Sequence, residues 1–361
     1  MKIVLRVDAS VKIGFGHVMR CLALADALKS RGVACEFICR KHPGNLIEFI
    51  SKKGYKTHII PMGFNKDINL SHSDWLGASQ LEDIQICAKI LLTIQPDWLI
   101  VDHYALDITW EYELSHCYRH LMVIDDLADR RHKCQILLDQ THGRSQADYD
   151  PLIANGCNLL YGSDYALLRP EFAVLREYSL QRRKNFNLKR LLIALGGVDK
   201  DNITSKILRS IRNFPLPSDC EILIVLGSAA PWIDDVRELA RSMPWRSTVC
   251  VDVPDMAKLM ADSDLAIGAA GTSAWERCCL GLPTFLVILA DNQRDIARGL
   301  VDAGAAILFD DIDTSTANAS LDKFIASTNV KLLGKIASSI SDGLGTMRVV
   351  DFLIRGVKNA N

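Results

Sequence analysis

Residues 2–20 read KIVLRVDASVKIGFGHVMR, from Lys2 to Arg20. Lys2 to Val7 predicts a strand around the apolar run Ile3-Val4-Leu5, and the loop after it carries Gly14 and Gly16. Beyond the loop, Val18, Met19, Leu22, Leu24, Ala25 and Leu28 recur at helical spacing, which predicts a helix over 18–31. Strand, glycine turn and helix in that order open a parallel α/β sheet. In such sheets ligands lie beyond the carboxyl ends of the strands, so the residues just after each strand carry the functional expectation.

The alternation continues along the chain. Residues 34–39, 57–60, 98–102, 121–126 and 136–139 predict strands, with helices over 46–53 and 81–94 between them. Residues 175–189, LREYSLQRRKNFNLK, are charged with few large apolar groups and read as a linker. Arg190 to Leu195 opens a second series, with strands at 221–226, 247–251, 265–267, 284–289 and 306–308. The expected architecture is α/β, with two Rossmann-like domains facing across a cleft. They cover 1–180 and 189–345, followed by a tail segment over 346–361.

Composition narrows the class. At 361 residues, 49% hydrophobic and 24% charged, the chain has the make-up of a two-domain globular protein. A net charge of -1 argues against a nucleic-acid partner. The first apolar run is broken at Arg6 and Asp8, so no signal peptide is expected. No run approaches the ~18 apolar residues of a membrane span. The eleven cysteines form no Cys-x-x-Cys pair, which suits core thiols of a reducing compartment rather than a metal site. A cytoplasmic monomer with no membrane partner is expected.

The opening loop has two readings. Backbone N–H groups around Gly14 and Gly16, with a helix start behind them, suit an anion. A dinucleotide fingerprint would need a third glycine at 19, where Met19 stands, so a nicotinamide or flavin cofactor is not expected. His17, at the positive end of the helix, reads as a neutral imidazole available as general base. It reads equally as a capping or packing histidine.

A second motif, Ile267-Gly268-Ala269-Ala270-Gly271-Thr272-Ser273-Ala274-Trp275-Glu276, again follows a strand. Gly271, Thr272 and Ser273 suit a pyrophosphate, and Glu276 suits ribose hydroxyls. Ser273 to Glu276 also spells a capping box, which would make Glu276 structural. Shorter turns add polar groups after other strands: Gly196-Gly197-Val198-Asp199 with Asn202, Asp102-His103-Tyr104, Asp125-Asp126, and Asp291-Asn292-Gln293. Each alone fits ordinary turn chemistry. Asp102 and Asp125 raise the alternative of a metal site, but a carboxylate pair from separate strands lacks ligand spacing.

Taken together, RVDAS, IGFGHVMRCLALADAL, VDHYALD, ALLRPEF, GGVDKDN, AAGTSAWERCCLGLP, ADNQ and DGLGTMRV resemble the UDP-sugar hydrolases of pseudaminic acid biosynthesis. The likeness runs in order from Lys2 to about Arg348. It implies the GT-B fold and the release of UDP from UDP-2,4-diacetamido-2,4,6-trideoxy-β-L-altropyranose. It also implies His17 as the water-activating base, Glu276 as the ribose acid, and Asn202 facing substrate. Tyr104 would touch the sugar or the water, and Asn292 and Gln293 would lie near the sugar. Residues 63–73 match no feature of that family.

The chemistry so implied inverts the anomeric carbon and breaks its carbon–oxygen bond. A positioned base is worth roughly two to four decades in rate. N–H groups at 271–273 would stabilise the departing pyrophosphate in place of a metal, so no metal or cofactor is expected. The carboxylate pair usual in glycosidases is not evident, and UDP as leaving group removes the need for its acid member. A glycosyltransferase of the same fold would use the same UDP site, and a non-catalytic sugar-nucleotide binder would share it too.

Overall fold

A computed structural model describes residues 1–64, 71–214, 216–309 and 329–358. The chain divides into two compact units. One is built from Met1–Leu167 together with the C-terminal segment from Gly345, and the other from Leu168–Leu344.

The first unit holds a seven-stranded parallel sheet in the order β3-β2-β1-β4-β5-β6-β7. Its strands are β1 (Lys2–Val7), β2 (Ala34–Arg40), β3 (Lys56–Ile60), β4 (Trp98–Asp102), β5 (His120–Ile124), β6 (Ile136–Asp139) and β7 (Asn158–Tyr161). Its helices are α1 (Gly16–Ser30), α2 (Ile47–Lys52), α3 (Gln80–Ile94) and α4 (Ile108–Glu113). β4 is buried along its whole length, as expected of a central parallel strand covered on both faces. β1 shows how both layers are specified: Ile3, Leu5 and Val7 enter the core beside α1, while Val4 enters the core on the other face. The strand order reverses between β1 and β4, the switch point at which such sheets bind ligands.

The second unit repeats this topology with six parallel strands, β10-β9-β8-β11-β12-β13. They are β8 (Arg190–Ala194), β9 (Glu221–Leu226), β10 (Arg246–Val251), β11 (Leu265–Ala269), β12 (Thr284–Val287) and β13 (Ile307–Leu308). The helices are α5 (Pro170–Arg182), α6 (Ile203–Ile211), α7 (Ile233–Arg241), α8 (Met256–Ala261), α9 (Ser273–Cys279), α10 (Arg294–Asp302) and α11 (Asn329–Ile340). Here the switch point falls between β8 and β11, beyond which lie the Gly196–Gly197 turn and the Ala270–Thr272 loop.

Two segments differ from expectation. The stretch read as a linker is helix α5 followed by a short turn, with Arg183 buried. Its polar side chains are used rather than solvated. Ser179 Oγ donates to the Leu280 carbonyl at 2.7 Å, and Arg183 Nη2 donates to the Ser263 carbonyl at 2.5 Å. The segment after 345 is α12 (Gly345–Lys358), and it belongs with the first unit. Val349, Val350 and Leu353 are buried in the core that contains Leu24, Leu28 and Trp98.

Candidate active site

The first cluster forms beyond the switch point of the first unit. His17 is the second residue of α1, whose first turn is capped by no side chain. Its Nδ1 lies 2.6 Å from Oδ1 of Asp102, the last residue of β4. With Nδ1–H donating to that carboxylate, Nε2 keeps its lone pair and points away from Asp102. Arg20, one turn along α1, grips the same carboxylate with two donors, Nε to Oδ2 at 2.7 Å and Nη2 to Oδ1 at 2.8 Å. Its Nη1 reaches Asp126 at 2.5 Å. Burial alone would raise the Asp102 pKa, but Arg20 first and then His17 hold it well below the usual carboxylate range.

Tyr104 closes the cluster. Its hydroxyl donates to Asp126 Oδ2 at 2.7 Å, and its ring stands edge-on to the His17 ring at 4.6 Å. Trp75 stacks on Tyr104 with centroids 5.7 Å apart, and His72 lies 4.5 Å from Trp75. Burial lowers the His72 pKa, with Asp129 opposing it. His17 therefore sits against an aromatic wall made partly by the stretch to which the sequence assigned no role. Residues 65–70 of that stretch lie outside the described residues.

The expectation for Gly14 needs correction. Its N–H donates to the Ser10 carbonyl at 2.8 Å, so this amide closes the loop and does not face an anion. Its φ of 81° is the left-handed conformation that favours glycine there. Gly16 begins α1.

Asp102 and Asp125 are not a free carboxylate pair. Asp125 accepts from Arg130 Nη1 at 2.8 Å, from the Ala128 N–H at 3.0 Å and from the Tyr149 hydroxyl at 3.0 Å. Beneath the cluster a second ionic group ties β1 to α3. Arg6 bridges Asp8 and Asp83, each at 2.7 Å, and Arg40 Nη2 joins Asp83 at 2.6 Å. All four side chains are fully buried or nearly so.

The second unit gathers the other expected residues. Gly271, Thr272 and Ser273 connect β11 to α9, and among the described residues nothing accepts a hydrogen bond from their N–H groups. The expected capping box is absent: Thr272 occupies the cap without a side-chain bond, and Ser273 is already helical. Glu276 is thus released from capping. It lies 3.8 Å from Arg169, and burial raises its pKa while Arg169 opposes the rise. Gln293 reaches the same loop, its Nε2 standing 3.7 Å from where a side chain on Gly271 would begin. Its Oε1 accepts from the Leu289 N–H at 2.9 Å, and Asn292 shares its turn.

The GGxD turn is more structural than expected. Asp199 accepts from the N–H groups of Ile203 and Thr204, each at 2.9 Å, and Asn202 caps α6 through Ser205 N–H at 3.4 Å. The Asn202 oxygen is therefore engaged, leaving its amide NH2 for other contacts. The Gly197 carbonyl accepts from Gly227 N–H at 3.0 Å.

Comparison with known proteins bears on both units. The chain covers 98% of itself and 99% of MurG from Acinetobacter baumannii with a TM-score of 0.70 at 15% identity. The fold is GT-B. Residues 192–331, within the second GT-B domain, match the glycosyltransferase family 28 C-terminal domain. The chain resembles the UDP-2,4-diacetamido-2,4,6-trideoxy-beta-L-altropyranose hydrolase of Campylobacter jejuni, at 26% identity over 84% of this chain and 97% of that protein. It is 28% identical to an uncharacterized protein of Methanocaldococcus jannaschii over 82% of this chain, but spans only 57% of that protein's length. The resemblance read from the motifs thus has a named counterpart.

Sequence reasoning missed Arg20, His72 and Trp75, and had Asp126 only as part of a polar turn after a strand. Arg20 had a usable signal: it lies three residues after His17, on the same face of the helix and among apolar neighbours. Asp102 was visible as the acid ending a strand and opening a polar turn, with nothing to link it to His17.

Proposed function

We propose that this protein hydrolyses UDP-2,4-diacetamido-2,4,6-trideoxy-β-L-altropyranose to UDP and 2,4-diacetamido-2,4,6-trideoxy-L-altrose, with His17 activating the water, in the cytoplasm and without a metal. The observation that carries the reading is the 2.6 Å contact between His17 and Asp102. It leaves Nε2 as a base and provides a buried anion for the imidazolium formed when that base takes a proton.

In this scheme the water attacks the anomeric carbon as His17 Nε2 removes its proton. The anomeric carbon–oxygen bond breaks, and its electron pair leaves with UDP. Tyr104 and the turn holding Asn292 and Gln293 contact the sugar or the water, with the Asn202 amide as a further contact. Glu276 accepts from ribose hydroxyls. N–H groups at Gly271, Thr272 and Ser273 receive the diphosphate.

A glycosyltransferase is the second reading, favoured by the match of residues 192–331 to a glycosyltransferase domain. Incubation with the UDP-sugar in 18O-water, without acceptor, separates the two. Rapid UDP release with one 18O in the free sugar and none in UDP supports hydrolysis. UDP release only on addition of an acceptor sinks it.

A further inference from the structure

The loop assigned to the diphosphate rests on a buried cation. Arg277, in α9, is 1% exposed. Its Nη2 donates to the Ala269 carbonyl at 2.7 Å and its Nη1 to Ser273 Oγ at 3.0 Å. Its Nε has no partner, and among the described residues it forms no ion pair; Glu276, its chain neighbour, favours its charge only through space. The guanidinium fits only because position 268 is glycine: a Cβ there would lie 2.6 Å from Nη1. Burial lowers the Arg277 pKa, to about 10, which still leaves it charged at neutral pH.

A buried charge without a counter-ion is costly, and removing its solvation is usually offset by an opposite charge nearby. Arg6, Arg20 and Arg40 each meet aspartates. Arg183, the other buried guanidinium without an ion pair, is instead held by carbonyl oxygens of Leu280, Met260, Ala261 and Ser263. Arg277 meets only the Ala269 carbonyl and the Ser273 hydroxyl, and both belong to the loop read as the nucleotide site. A helix dipole is a poor substitute, because α9 has only 7 residues.

The hydrogen-bond direction adds a specific consequence. Arginine can only donate, so Ser273 Oγ is the acceptor from Nη1. The hydroxyl proton of Ser273, a half-buried residue, is then free to point outward as a donor. The structure assigns Arg277 as the positioning residue for the diphosphate of a nucleoside diphosphate: it orients the Ser273 hydroxyl toward a phosphate oxygen and sets a buried positive charge behind the loop. This rests on the UDP reading above and deepens it.

Binding of UDP and of uridine is measured by calorimetry for wild type, Arg277→Met, Arg277→Lys and Ser273→Ala. Arg277→Met weakens UDP by about tenfold or more, the scale of a charge-assisted hydrogen bond, and leaves uridine unchanged. Ser273→Ala lowers UDP affinity alone, and Arg277→Lys recovers part of the loss. The double variant Arg277→Met/Ser273→Ala loses less than the sum, because one residue acts through the other. Equal losses for UDP and uridine, or UDP affinity retained in both single variants, overturn the assignment. Should Arg277→Met fail to fold, the UDP-against-uridine comparison in Ser273→Ala decides alone. A wild-type protein that does not bind UDP overturns the proposed function itself, a distinct result.

Discussion

His17 Nδ1 and Asp102 Oδ1 lie 2.6 Å apart although 85 residues separate them in sequence. The pair joins the start of α1 to the end of β4, the two elements flanking the reversal of strand order. One end of the imidazole is thereby fixed and the other left free, which is the arrangement a general base requires.

Replacing His17 by alanine should lower kcat by about two to four decades while UDP affinity stays at the wild-type level. Steady-state turnover and calorimetry check the two halves separately. Full turnover in this variant would remove His17 from the mechanism.

Asp102→Asn tests tautomer control. The amide can present its NH2 to Nδ1, which places the ring proton on Nε2 and abolishes the base, a change worth up to about four decades in comparable sites. Arg20 also loses half its charge pairing, so a lower melting temperature is expected alongside. If kcat at a temperature well below melting matches wild type, Asp102 serves stability only.

The four buried groups Arg6, Asp8, Asp83 and Arg40 should dominate acid unfolding. Burial alone would raise the Asp83 pKa, but Arg6 first and then Arg40 hold it down, to about 2. A carboxylate with a depressed folded pKa stabilises above its unfolded value of about 4 and loses that contribution as pH falls toward 2. Asp8 is lowered as well, against its burial, chiefly by Arg6. Denaturant titrations should therefore show stability dropping between about pH 4 and 2. Asp83→Ala should cost about 3–5 kcal/mol at pH 7, since it strands the buried Arg40 guanidinium and leaves Arg6 with Asp8 alone. A loss below about 1 kcal/mol would show that the network relaxes without penalty.

Glu276→Gln addresses the nucleotide site from its ribose side. Wild type should prefer UDP to 2′,3′-dideoxy-UDP by about tenfold or more, and the variant should lose most of that preference. An undiminished preference would return Glu276 to a structural role beside Arg169.

Much of the sheet was readable because central parallel strands must be apolar throughout. Trp98–Asp102 has no polar residue before its last position, and its bounds in the structure match the expected ones. The His17 surroundings were less readable. Trp75 and His72 come from a stretch with no periodicity, and only the folded chain brings them to Tyr104. The supposed linker misled for a related reason. Its arginines looked solvated, yet Arg176 and Arg183 bond to backbone carbonyls of other elements in their own unit, partners that carry no side-chain signature. The capping box at Ser273–Glu276 matched as a pattern but failed in register, because α9 begins one residue too early.

The C-terminal helix has a temporal consequence. The second unit is one uninterrupted stretch, Leu168–Leu344, whereas the first is completed only by α12. On a ribosome the second unit can collapse as soon as it emerges. The first, though made earlier, waits for Val349, Val350 and Leu353 before the layer over α1 is sealed. Until then the part of the hydrophobic layer beside β1 and β4, with Trp98 awaiting the backbone at Gly356, stays open to water or to a chaperone. Of the two units, the one that carries His17 is thus begun first and finished last.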